Sequence, residues 1–236
     1  MRKILKGAID KTIAGLETAK KSLSGFADEE TKLKRREMID LDRTPEAPSI
    51  FVPSYGEIER LDDDMLIVNF MSKDQCDDLI AIADKHNGWE PLPGDKFPAY
   101  EIRMRELGFW EELVKHWERH IYPIIERYWW PMEMYGIRDA FVMKYSLETQ
   151  RALACHTDAS LVTGSVKLND DYAGANLVFP RQGVSNEDVE VGKCILFPGQ
   201  VSHGHECTKL RQGTKYSLTM WSSRHPGDIG GGYGTY

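Results

Sequence analysis

At 236 residues, with 41% hydrophobic and 28% charged side chains, the chain has the length for one domain plus an extension and the composition of a globular protein, which excludes a fibrous or wholly disordered one. The formal net charge of −7 argues against a general affinity for nucleic acid or an anionic membrane surface, and no run of about 18 apolar residues is present to span a bilayer. Cys76, Cys155, Cys194 and Cys207 form neither a Cys-x-x-Cys pair nor a disulfide framework, and the N-terminus lacks a continuous apolar signal segment, so the expected location is cytoplasmic.

Residues 1–40 place Ile4, Leu5, Ala8, Ile9, Ile13, Leu16, Ala19, Leu23 and Phe26 at intervals of three to four, which predicts one or two amphipathic helices. Such a segment packs on the main domain, self-associates or docks a partner. The proline-containing stretch DRTPEAPSIFVPSYG carries no period and reads as a linker, so the expected division is 1–56 for extension and linker, 57–226 for the main domain and 227–236 for a glycine-rich tail. MLIVNF predicts a short strand. Ser72 and Gln75 then have the spacing of a capping box that opens a helix over 73–86, ended by Asn87-Gly88. A second helical pattern covers 108–130, with a break expected at Pro123 and the cluster Tyr128-Trp129-Trp130 assigned to the core. Beyond residue 136, DAFVMKYS, SLVTGSVKLN, ANLVFP, KCILFPG and KYSLTMWSS are short runs between turn residues, the texture of an antiparallel sandwich or barrel.

The chemistry-bearing residues cluster in this second half. In ACHTDAS, His156 and Asp158 are two apart, so on a strand both would point to one face; in VSHGHEC, His203 and His205 have the same relation. Two histidines and a carboxylate from separate strands make the facial triad of a non-haem iron(II) centre, whereas a structural zinc site needs four closed ligands. One of His203 and His205 suffices. Lys215 and Ser217 fall on one strand face ten and twelve residues after His205, and a lysine deep in a barrel needs an anion, which a dicarboxylate cosubstrate would supply.

HTDAS, NDDYAGANLVFP, VGKCILFPG and HGHECTKLRQGTKYSLTMW, in that order, resemble the 2-oxoglutarate- and iron(II)-dependent oxygenases, and among them the prolyl and lysyl hydroxylases of collagen-type peptides. The resemblance implies an α+β fold: a double-stranded β-helix (jelly roll, cupin-like) core with supporting helices, here with the N-terminal amphipathic segment added. It makes His156, Asp158 and His205 the iron ligands and Lys215 the partner of the distal carboxylate of 2-oxoglutarate. Tyr145 and Ser217 become further donors to the cosubstrate. His203 is left to a supporting role, a substrate contact or simple packing; Thr157 is expected to face away from the metal, and Cys155 to be a small packed thiol. The implied cofactors are Fe(II), 2-oxoglutarate and O2, with ascorbate as reductant, and the implied partner is a peptide or protein substrate. Two departures stand out: Lys215 occupies a position where lysyl hydroxylases carry arginine, and Gly174-Ala175 replaces a glycine pair. A small-molecule oxygenase and a catalytically silent jelly roll are the alternatives. The loop around KFPAYEIRMREL, Arg151 and the tail are the candidate substrate contacts.

Overall fold

The computed structural model describes residues 50–51, 58–91, 97–129 and 136–223. The expected N-terminal helices, most of the linker, Trp130 and the glycine-rich tail lie outside these residues.

Among the described residues, eleven strands form two sheets. In chain order they are β1 (Glu59–Asp62), β2 (Met65–Asn69), β3 (Glu101–Arg103), β4 (Ile137–Tyr145), β5 (Leu153–His156), β6 (Val162–Lys167), β7 (Leu177–Phe179), β8 (Val184–Ser185), β9 (Lys193–Pro198), β10 (His205–Cys207) and β11 (Lys215–Ser222). The larger sheet has the order β1-β2-β9-β6-β11-β4-β3 and the smaller β5-β10-β7-β8, with neighbours antiparallel throughout. This is the jelly-roll arrangement that the short, turn-separated runs call for.

Period-two alternation decides what each face of the larger sheet meets. On β11, Tyr216, Leu218 and Met220 join a buried cluster with Leu66, Val68, Val142 and Val166, and helices cover this face. Lys215, Ser217, Thr219 and Trp221 point the other way, toward the smaller sheet, and line a cavity. Smaller apolar clusters, one of Ile67, Leu177, Phe179, Ile195 and Phe197 and one of Phe141, Met143, Tyr145 and Cys207, fill the space between the sheets on either side.

The covering helices follow from local signals. α1 (Lys73–His86) is opened by a capping box, in which Ser72 Oγ accepts from Gln75 N–H at 3.2 Å and Gln75 Oε1 accepts from Ser72 N–H at 2.8 Å. It stops at Asn87, which takes φ 56°. Cys76, Leu79 and Ala83, spaced for one helical face, are its buried residues. The second helical pattern begins as α2 (Trp110–His116), widens to a π-helical turn over Trp117–Ile121 and resumes as α3 (Tyr122–Tyr128). The expected break at Pro123 thus appears one turn earlier and without interruption of the helix. Proline has no N–H to give the preceding turn, and the wider winding absorbs the defect, with Tyr122 N–H reaching Trp117 O. Trp117 and Ile121 are fully buried by this turn, each burial contributing roughly 1.5–3 kcal/mol. Tyr128 and Trp129 pack on the same core.

Candidate metal centre

His156 ends β5, His205 begins β10, and the two face each other in register across these neighbouring strands. Asp158 lies beyond the end of β5 rather than on it, which corrects the strand-face premise for this pair. Its position comes from a long-range contact instead: Asp158 N–H donates to Gly199 O at 2.7 Å. Gly199 is required for that approach, since a Cβ there would sit 2.6 Å from Ser160 O. One ligand atom from each of His156, Asp158 and His205 lies within 4.8 Å of the others, an arrangement able to hold a metal ion.

The hydrogen bonds around the triad set its chemistry. His156 Nδ1 donates to Ala154 O at 2.9 Å and His205 Nδ1 to His203 O at 3.0 Å, which fixes both tautomers and turns both Nε2 lone pairs inward. Each Nε2 stands 3.6 Å from an Asp158 oxygen, His156 from Oδ1 and His205 from Oδ2. Thr163 Oγ1 donates to Asp158 Oδ2 at 2.7 Å. Burial pushes the Asp158 carboxyl up, but hydrogen bonding with His156, the charge of His205 and the Thr163 hydroxyl outweigh it and hold the group below the usual carboxylate range. Burial lowers His205 despite the nearby Asp158. A divalent cation requires Asp158 ionised, as these contacts hold it, and takes the place of any proton on the two Nε2 atoms that face the carboxylate. Aromatic rings brace the imidazoles: Phe97 stacks on His156 at 5.0 Å, and Phe197 meets His205 edge-on at 5.0 Å.

The triad opens into a cavity of about 230 Å³ between the sheets. Tyr145, Lys215 and Ser217, all 5% exposed or less, line it. Lys215 and Tyr145 are direct partners in the β11–β4 ladder. The Lys215 ammonium donates to Cys207 Sγ at 3.5 Å and lies 5.0 Å from the Tyr145 ring, and it has no ion pair among the described residues. A thiol and an aromatic face compensate a buried charge poorly, so this end of the cavity is built for an anion. Burial, with Cys207 next to it, raises the Tyr145 phenol well above its ordinary range, which keeps its proton available for donation. The donor set therefore fits both a divalent metal and a small dicarboxylate.

Several expectations need correction. His203 is not on a strand with His205; it sits in the turn before β10, 1% exposed, and its ring points to the β1–β2 turn. Thr157 lines the cavity rather than facing away, and Cys155 is exposed rather than packed. Arg151 stays on the surface, donating to Leu147 O. Thr163, Phe97 and Glu101 also belong to the site; Phe97 and Glu101 both fall in the candidate stretch KFPAYEIRMREL, whereas Thr163 carried no prior sign.

No protein-family model matches the chain. Curated relatives do. A procollagen-lysine,2-oxoglutarate 5-dioxygenase of Drosophila melanogaster is 29% identical over 161 residues, which are 61% of this chain and 22% of the relative. Procollagen-lysine,2-oxoglutarate 5-dioxygenase 2 of Mus musculus is 30% identical over 159 residues, 61% of this chain and 21% of the relative. A multifunctional procollagen lysine hydroxylase and glycosyltransferase of Caenorhabditis elegans is 27% identical over 168 residues, 64% of this chain and 23% of the relative. The chain thus matches only about a fifth of the length of these proteins. Among solved structures, a viral collagen prolyl hydroxylase from Paramecium Bursaria Chlorella virus-1 superposes with a TM-score of 0.51 at 18% identity, covering 77% of this chain and 95% of that one. An oxidoreductase of the 2OG-Fe(II) oxygenase family from Burkholderia pseudomallei gives 0.51 at 16%, covering 69% and 86%. The homologues of this chain are procollagen-lysine 2-oxoglutarate dioxygenases, and its fold is that of the 2OG-Fe(II) oxygenases.

Proposed function

We propose that the protein is an Fe(II)- and 2-oxoglutarate-dependent dioxygenase that hydroxylates a peptidyl residue. The observation that carries this reading is the convergence of two tautomer-fixed imidazoles and a carboxylate on a cavity that also holds a buried, anion-seeking lysine. His156, Asp158 and His205 would hold the metal as a facial triad. Fe(II) with 2-oxoglutarate supplies the oxidising chemistry when bound: O2 converts 2-oxoglutarate to succinate and CO2 while one oxygen atom enters a substrate C–H bond. The chain's own groups perform binding and orientation. Lys215 binds the distal carboxylate of the cosubstrate by a charge-assisted bond, with Tyr145 and Ser217 as hydroxyl donors from the same two strands. Phe97, Phe141, Met143, Leu177 and Phe197 keep the cavity dry, so these bonds are not weakened by water.

For the substrate we favour lysyl over prolyl. The named activities of the curated relatives point that way, and so does Glu101. Its carboxylate is 7% exposed, lines the same cavity as the triad and is held from behind by Arg103 at 3.2 Å. A lysyl side chain carries an ammonium group to meet it, and a prolyl ring does not. The free cysteines suit a reducing, cytoplasmic setting.

The test supplies Fe(II), 2-oxoglutarate and ascorbate under air, with lysine- and proline-containing collagen-type peptides, and follows succinate and a single added oxygen by mass spectrometry. Succinate with an oxygen on lysine is the expected result. Oxygen on proline would move the substrate assignment and leave the oxygenase reading; no succinate and no binding of iron or 2-oxoglutarate would end it.

A further inference from the structure

His203 is the one histidine of the HGH stretch that the candidate triad does not use, yet its side chain is among the most enclosed polar groups described, at 1% exposed. Its Nε2–H donates to Oδ1 of Asp64 at 3.1 Å, an acceptor that lies 139 positions earlier, in the turn between β1 and β2. Its Nδ1 is 2.9 Å from Ser202 Oγ, and in the neutral ring it accepts that hydroxyl. Gln182 Nε2 holds the Ser202 carbonyl at 2.9 Å, and His203 N–H donates to Gln200 O at 2.9 Å. The peptide after His203 is therefore anchored from several sides. Its carbonyl is the acceptor for His205 Nδ1–H.

We infer that Asp64 and His203 form a positioning pair for the metal ligand His205. The Asp64 carboxylate fixes the His203 ring; the ring fixes the backbone before Gly204; and the His203 carbonyl orients the His205 imidazole so that Nε2 faces Asp158. The need for such an anchor lies in Gly204, which separates the two histidines and gives the chain a soft joint next to a ligand. His156 needs no counterpart, because its acceptor, Ala154 O, belongs to the same strand. Asp64 thereby ties the entry hairpin of the larger sheet to a ligand on the smaller one. The pair rests on the triad being a metal site, and the experiment separates the two ideas.

The probe is Co(II), titrated anaerobically into purified metal-free protein and followed by its visible absorption. Wild type binds and Asp158→Ala does not, if the triad is the site. Asp64→Ala and His203→Phe are expected to weaken Co(II) binding about tenfold or more, the usual effect of removing support one shell beyond a ligand. Asp64→Asn keeps an oxygen acceptor for Nε2–H and should recover most of the affinity. Asp63→Ala removes the same charge beside the pair and should leave affinity unchanged. In the Co(II) protein, the solvent-exchangeable proton resonance of His205 Nδ1–H should exchange faster in Asp64→Ala. Unchanged affinity in Asp64→Ala, or an equal loss in Asp63→Ala, overturns the positioning role. Failure of wild type to bind Co(II) overturns the metal site itself.

Discussion

Replacing Lys215 by methionine should make the protein more stable without cosubstrate and much weaker in binding it. The side chain is 3% exposed, and its ammonium donates to the Cys207 thiol and faces the Tyr145 ring, with no ion pair among the described residues. Removing a poorly compensated buried charge while keeping similar volume is expected to stabilise the metal-free protein by about 2 kcal/mol. For a domain of this size that raises the melting temperature by roughly 4–8 °C. The same change leaves the distal carboxylate of 2-oxoglutarate without its partner, at a cost of about 2–5 kcal/mol. The dissociation constant for 2-oxoglutarate should then rise by a factor of about 30 to several thousand. Thermal melts with and without 2-oxoglutarate, and anaerobic calorimetry in the presence of Mn(II), measure both effects. The two signs are opposite, which makes the test demanding. A Lys215→Met protein that melts lower than wild type and binds 2-oxoglutarate unchanged would show that the lysine is a structural group, and the anion argument would fall with it.

Other consequences concern stability. His116 is 6% exposed, packs against Phe70 at 4.8 Å and has no partner for Nε2 among the described residues. Burial, then the neighbouring His120 and Arg119, lowers its pKa from 6.5 to about 3. The unfolded chain therefore binds the proton first, so the stability from a neutral His116 is complete above about pH 6.5 and is lost as pH falls from there toward about 3. At pH 5 the loss is about 2 kcal/mol, which His116→Phe should remove from the difference between urea midpoints at pH 7 and pH 5; an equal pH dependence in the variant would refute it. Gly192 takes φ 85°, and a Cβ there would lie 2.0 Å from Met71 O. Gly192→Ala should cost at least about 3 kcal/mol in urea unfolding, and a loss below about 1 kcal/mol would contradict the geometry.

Sequence patterns captured the parts of this molecule that local physics decides. DAFVMKYS and KYSLTMWSS are short runs set off by turn residues, and β4 and β11 pair along them from Lys215↔Tyr145 to Trp221↔Asp139. Ser72 and Gln75 cap α1 as their spacing requires. The site was legible in its residue types and not in its local geometry. Asp158 and His203 both lie off strands, because contacts distant in sequence place them: Gly199 O for the first and Asp64 for the second. Spacing along the chain carries no trace of either bond. The same holds for Thr157, whose place on the cavity wall follows from β5 ending at His156 rather than continuing. Thr163 was invisible for a different reason, since a hydroxyl on a strand is ordinary until a neighbouring segment gives it something to face.

The two halves of the site are consequently held by different means, and this has a measurable outcome. Tyr145, Lys215 and Ser217 sit within the continuous β4–β11 ladder, flanked by β6, so their placement is as firm as the sheet. The chelating end depends on single bonds across strand ends: Asp158 N–H to Gly199 O, Thr163 to Asp158, and His205 to His203 O. Local opening is cheapest where few backbone bonds must break together. Amide hydrogen exchange in metal-free protein should therefore be faster at residues 158–160 and 199–204 than at 140–144 and 216–220. Added Co(II) should slow the first group strongly, because it crosslinks the segments that those bonds join, and should change the second little. Equal protection of both groups in metal-free protein would mean that the chelate is as preorganised as the clamp, and that His205 needs no help from Asp64.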